Sequence, residues 1–130
     1  MNKRLLSLGC FTIGLGIILG AFGAHWLKEF LDMPKLQAFE TGVKYQIYHG
    51  LAFILLGSVF KNKSKSSLKW AFRLMIIGIL LFSGSLYLIA LLSVLELETG
   101  VFVGVLTPIG GLLLIVSWLK IGCYFWANKQ

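Results

Sequence analysis

An all-α bundle of four helices embedded in a membrane is the fold this chain predicts. The sequence holds four uncharged apolar stretches, Leu5–Leu27, Tyr45–Phe60, Leu74–Leu95 and Thr99–Leu119. Its 130 residues are 58% hydrophobic and 13% charged, which leaves too little polar chain for a soluble domain. A hydrocarbon core of roughly 30 Å takes about 20 apolar residues at ~1.5 Å rise each, and three of the stretches reach that length. Lipid offers no hydrogen bonds to an open backbone, so each stretch has to be a helix. The expectation is one transmembrane domain over residues 1–130, with helices at about 5–27, 34–60, 70–95 and 99–126.

Charge placement orients the bundle. Lys3, Arg4, Lys61, Lys63, Lys65, Lys69, Arg73, Lys120 and Lys129 precede helix 1, lie between helices 2 and 3, or follow helix 4. Lys28, Lys35 and Lys44 share the opposite side with all the acids, Glu29, Asp32, Glu40, Glu96 and Glu98. The positive-inside rule then predicts an N-in/C-in, multi-pass protein of the cell membrane, with segments 28–44 and 96–98 outside. The net charge of +7 is on this reading a topology signal. It favours anionic lipid headgroups, at ~1 kcal/mol per nearby cation, and no nucleic acid is expected as a partner.

Helix 1 opens on Lys3-Arg4, a start shared with signal peptides, and Ala21 and Gly23 resemble a cleavage site before Ala24. The apolar run continues to Leu27, so the segment reads as an uncleaved first helix. Thr12, Gly16, Gly20 and Ala24 recur every fourth residue, with Gly23 beside them. Such small-residue stripes let backbones approach closely in lipid. By the same logic Gly78, which has no small neighbour four residues away on either side, predicts a looser contact than Gly20. Cys10 and Cys123 lie toward the cytoplasmic ends of helices 1 and 4, where a disulfide is not expected, and read as small packing residues.

Between helices 1 and 2, Pro34 suits a first helical turn and Asp32 its cap. Leu36, Phe39, Val43 and Ile47 then recur at helical spacing among polar Lys35, Gln37, Glu40 and Lys44. Glu40 and Lys44 are spaced to pair at i,i+4. A short amphipathic helix before helix 2 is predicted over Pro34–Lys44, lying at the outer interface or running directly into helix 2. Helix 2 itself is short, with Lys44 and Lys61 placed to snorkel. Gly42, Gln46, His49, Gly50, Phe53 and Gly57 share one face of it and should point inward.

Residues 61–73 form a basic, serine-rich connector in which Trp70 and Phe72 look like interfacial anchors for helix 3. The short link around Glu96–Gly100 makes helices 3 and 4 antiparallel neighbours. Pro108 removes a backbone donor and predicts a kink in helix 4. Trp118, Tyr124, Phe125 and Trp126 read as an aromatic belt at the inner face.

Membrane chemistry usually relies on ionisable groups at depth, and none of the four runs contains Asp, Glu, Lys or Arg. That argues against a proton-coupled transporter, an ion pump or a paired-aspartate protease. Four short helices without polar lining also give no water path for a channel unless the protein oligomerises. No catalytic triad, phosphate-binding glycine loop or Cys-x-x-Cys pair is present. The candidates that remain are His25, near the outer end of helix 1, and His49, four residues after Lys44. Both are expected in the outer leaflet region, with Glu29 one turn from His25 and Tyr45 one turn from His49. They can lock helix 1 to helix 2 by hydrogen bonds, ligate a haem axially, contribute to a metal site with Glu29 or Glu40, or hold a quinone or lipid headgroup with Tyr45 and Gln46.

The string Gly20-Ala21-Phe22-Gly23-Ala24-His25-Trp26-Leu27-Lys28, followed by Phe39-Glu40-Thr41-Gly42-Val43-Lys44-Tyr45-Gln46-Ile47-Tyr48-His49-Gly50, resembles the YwdK/YgdD family of small bacterial membrane proteins. That family is a domain of unknown function with four predicted helices and distant eukaryotic relatives. The resemblance is specific over residues 9–60. It implies an uncleaved four-helix protein with Gly20, Gly23, His25, Glu40, Tyr45, Gln46 and His49 as signature positions, and it implies no activity. Gly50 stands where the family more often has alanine.

The expected function is that of a non-enzymatic small integral membrane protein, a membrane-stabilising element or a small subunit of a larger partner, with no metal and no cofactor. Lipids are its expected partners, with a second copy or a larger membrane protein beside them. Gly16, Gly20, Gly23, Ala24 and Gly50 are its expected packing residues. The rival function is a small-molecule binder at the outer face, built from His25, His49, Tyr45, Gln46 and Glu40.

Overall fold

Helices 1 and 2 begin for local reasons. A computed structural model describes residues 1–60 and 66–127 and is all-helical over them. Helix α1 (Lys3–His25) is capped by Asn2, whose side chain accepts from the Leu5 N–H at 3.3 Å, and it closes into a 3-10 turn at Leu27–Glu29. Helix α2 (Met33–Val59) starts as the sequence indicates: Asp32 accepts from Lys35 N–H at 3.0 Å and Pro34 lies in the first turn. The amphipathic segment is thus the opening of α2, one continuous helix of 27 residues. Helix α3 (Ser66–Val94) begins four residues earlier than expected, and α4 (Val101–Ala127) runs unbroken through Pro108.

The α3–α4 link carries the chain's one positive-φ residue among those described, Glu96 at φ 55°. Leu97 N–H donates to Leu92 O and Glu96 N–H to Ser93 O. This is the paired bonding of a Schellman end, with a glutamate where glycine is usual.

Packing follows chain order: α1 lies on α2, α2 on α3 and α3 on α4, each pair antiparallel. Glycines weld α1 to α2. A Cβ on Gly9 would stand 2.6 Å from Gly50 O, one on Gly16 2.8 Å from Ile47 Cγ1, and one on Gly23 2.6 Å from Phe39 Cε1. At the N-terminal end of α1, Asn2 N–H donates to Gly57 O at 2.7 Å. The predicted stripe needs correction here. The buried set is Gly9, Gly16 and Gly23; Gly20 is half-buried, where an added Cβ would stand 3.3 Å from Val43 Cγ1, and Ala24 is exposed. The ranking of Gly20 over Gly78 is also reversed. A Cβ on Gly78 would meet Leu114 Cδ2 at 2.8 Å and Gly110 O at 3.1 Å, and one on Gly110 would run into the Phe82 backbone. Two glycines on different helices made this crossing, so spacing along α3 alone did not reveal it.

Three helical segments, Lys3–Glu29, Leu68–Val94 and Val101–Ala127, are long and apolar enough to cross a membrane. Helix α2, which carries Lys35, Glu40, Lys44, Gln46 and His49, is not among them, yet it runs beside α1 from Phe39 against Gly23 to Gly57 against Leu5. Glu40 and Lys44 are exposed on it and form no ion pair with each other; among the described residues the pair is Asp32–Lys35, at 3.4 Å. Cys10 and Cys123 are exposed rather than packed. Lys61, with its snorkelling role, and the connector cations Lys63 and Lys65 lie outside the described residues, as does Lys129.

Candidate functional site

Two apolar clusters divide the interior. One gathers Leu5, Phe53, Phe60, Leu68, Met75 and Leu114 toward the chain termini; the other gathers Leu27, Leu31, Phe39, Val43 and Ala90 toward the opposite end. Between them lies a polar layer centred on α2. All six residues of its predicted inward face (Gly42, Gln46, His49, Gly50, Phe53 and Gly57) are buried.

Gln46, only 5% exposed, ties three helices together. Its Nε2 donates to the Thr12 carbonyl of α1 at 2.9 Å, and its Oε1 accepts from the Tyr87 hydroxyl of α3 at 2.8 Å. Gly16, one turn past Thr12, leaves that carbonyl open to approach, since a Cβ there would stand 3.4 Å from Gln46 Nε2. Ser83 of α3 donates to Gly42 O at 2.8 Å, where the missing Cβ lets Tyr87 and Leu86 close in. Ser85 and Thr107 hydroxyls meet at 2.6 Å across α3 and α4, and Ser117 donates to Ala71 O at 2.8 Å.

His49 brings in the fourth helix. Its Nδ1 lies 2.7 Å from Tyr45 O, and Trp118 Nε1 of α4 lies 3.1 Å from its Nε2. A carbonyl can only accept and an indole N–H can only donate, so the tautomer follows: Nδ1 carries the proton and Nε2 receives. The ring is neutral with both nitrogens engaged. An iron or zinc ion would have to displace Trp118 to reach the Nε2 lone pair. Among the described residues no buried side-chain nitrogen or oxygen is left without a partner.

The candidate ligand cluster is therefore split. Gln46, His49 and the Tyr45 carbonyl belong to the polar layer, and the Tyr45 ring packs 4.7 Å from Phe82 while its edge remains exposed. His25 does not join them. The α1 residues opposite Gly50 are Gly9 and Ile13, twelve or more positions from His25, or about 18 Å along the helix. His25 is exposed and, among the described residues, bonds neither to Glu29 nor to anything else. Glu40 is exposed and outside the layer. The expectation of two imidazoles in one leaflet region measured depth from Lys44, but α2 begins at Met33, and its packing on α1 carries His49 to mid-bundle. No three His, Cys, Asp or Glu side chains among the described residues converge as a ligand set.

Sequence reasoning missed Ser83, Tyr87 and Trp118 as parts of this layer. Ser83, Ser85 and Tyr87 were legible as uncharged polar residues interrupting an otherwise apolar run. Trp118 was assigned to an inner-face belt, yet its indole nitrogen turns inward while 44% of the residue remains exposed.

Helices long and apolar enough to cross a membrane, closed around a polar layer that satisfies itself, define a multi-pass membrane protein. Comparison with known proteins supplies the family. Residues 19–111 match the family described as "Protein of unknown function (DUF423)", and the chain belongs to it. It is 40% identical over 120 residues to the UPF0382 membrane protein YwdK of Bacillus subtilis, covering 92% of this chain and 93% of that one. Identity to a UPF0382 membrane protein of Staphylococcus haemolyticus is 39% over 119 residues, 92% of each chain. A Haemophilus influenzae relative is 32% identical over 131 residues, 100% of this chain and 99% of its own. No solved structure matches.

Proposed function

We propose that this protein is a non-catalytic element of the cell membrane, with both termini in the cytoplasm, that acts through the rigidity of its bundle to stabilise the membrane or to support a larger membrane partner. The observation that carries this reading is the closure of the polar layer. Intramembrane histidines and glutamines ordinarily mark transport or ligand chemistry. Here Gln46 and His49 use their donors and acceptors to join α1, α3 and α4 to α2. Groups committed in this way position helices: the Gln46 amide, which borders a cavity between α1 and α3, is already bonded to Thr12 and Tyr87.

The test is the purified protein in mild detergent. The expected result is a spectrum without a Soret or flavin band, an extract without stoichiometric quinone, and unchanged helicity in His25→Gln. A bound chromophore lost in His49→Leu while the helices remain folded would overturn the proposal and establish the ligand-binding alternative.

A further inference from the structure

Because α1 and α3 both lie on α2 without packing along one another, a groove runs between them. At the end near the N-terminus it widens into a cavity of about 570 Å³. Its rim is basic: Arg4 from α1 and Lys69 and Arg73, one turn apart, from α3. The Arg73 guanidinium sits 5.1 Å over the Trp70 ring, which orients it at the interface. Its floor is apolar, made of Leu5, Leu8, Phe72 and Ile76.

No acid balances this rim. Glu29, Asp32 and Glu40 lie at the far end of α1 and α2, and Glu96 and Glu98 lie in the α3–α4 link. None of the three cations has an ion-pair partner among the described residues. One turn deeper, a second, largely apolar cavity of about 230 Å³ lies in the same groove, lined by Leu15, Ile79 and Leu80 and bordered by Gln46, Ser83 and Tyr87 of the polar layer. From Arg4 to Leu15 is about 16 Å of helix, close to the depth of one leaflet's acyl chains.

We propose that this groove holds one anionic phospholipid of the leaflet that meets the N-terminal end of the bundle. Its phosphate is bound by Arg4, Lys69 and Arg73, and one acyl chain lies along the α1–α3 groove. Arginine forks and a lysine ammonium suit phosphate oxygens, and the apolar floor accounts for a lipid rather than a free anion. The headgroup end of the site, where the substitutions below fall, shares no residue with the polar layer, so this proposal and the structural role of that layer can fail separately.

Native mass spectrometry of the full chain released from nanodiscs tests it, with phosphatidylglycerol and phosphatidylcholine as probes. The expected result is one retained phosphatidylglycerol, held at least ~10-fold more tightly than phosphatidylcholine. Each headgroup-level cation is worth roughly fivefold in affinity, so Lys69→Gln lowers retention about fivefold and the Arg4→Gln/Lys69→Gln/Arg73→Gln triple on the order of a hundredfold. The Lys28→Gln/Lys35→Gln/Lys44→Gln triple removes the same charge from exposed side chains at the other end and should leave retention nearly unchanged. Equal retention of the two lipids, or equal losses in the two triples, would overturn the proposal. So would inorganic phosphate binding as tightly as phosphatidylglycerol, since that would show a site for a free anion.

Discussion

The Trp118–His49 hydrogen bond joins α4 to α2 within the polar layer, and a double-mutant cycle measures it. Trp118→Phe removes the donor and strands a buried Nε2 lone pair on a side chain only 6% exposed. His49→Leu removes the acceptor and leaves the indole N–H in apolar surroundings. Interhelical hydrogen bonds in lipid average about 0.6 kcal/mol and reach about 1.7, and a stranded buried polar atom adds a penalty of roughly 1 kcal/mol. Each single change should therefore cost about 1–2 kcal/mol. The double change loses the same bond once and strands neither atom, so it should fall short of the sum by about 2–3 kcal/mol. Reversible unfolding in mixed micelles, titrated with dodecyl sulfate and followed by far-ultraviolet circular dichroism, reads all four proteins. Nitrogen-15 spectra of labelled histidine supply an independent check, with a protonated Nδ1 and a bare Nε2 expected for His49. Costs additive to within about 0.3 kcal/mol, or the opposite tautomer, would refute the geometry.

Other expectations follow from single positions. Gly110→Ala and Gly78→Leu should each lower stability in detergent by more than Gly20→Leu, by ~1–3 kcal/mol, since backbone atoms of the neighbouring helix leave no room at Gly110; equal melting of all three would contradict the crossing. Gly14→Ala faces open space and should be neutral or stabilising by up to ~1 kcal/mol, as measured in the same melts. Glu96→Gly relieves a left-handed residue at the Schellman end and should stabilise by about 1 kcal/mol, while no gain would mean that the turn tolerates glutamate without strain. His25→Gln should shift stability by less than about 0.5 kcal/mol, because the ring is exposed and unbonded. A reporter active only outside the cytoplasm should work at Asp32 and fail at the C-terminus, and the reverse pattern would invert the orientation.

Hydropathy and charge determined the all-helical class and the inward face of α2, because a chain in lipid must close its backbone bonds within each segment and bury its few polar side chains. Asp32 and Pro34 marked the start of α2 for an equally local reason, a cap and a first-turn proline acting within four residues. Pairings between distant positions were decided only by the tertiary structure. Gly78 meets Gly110, Gln46 meets Thr12 and Tyr87, and Trp118 meets His49 only because the helices settle at particular heights and rotations. A single sequence carries no term for that register. The two histidines show the consequence: one turn of helix is read easily from spacing, but the offset of α2 against α1 arises from the sum of many glycine contacts. That offset moved His49 from the outer leaflet to the middle of the bundle and left His25 alone at its edge.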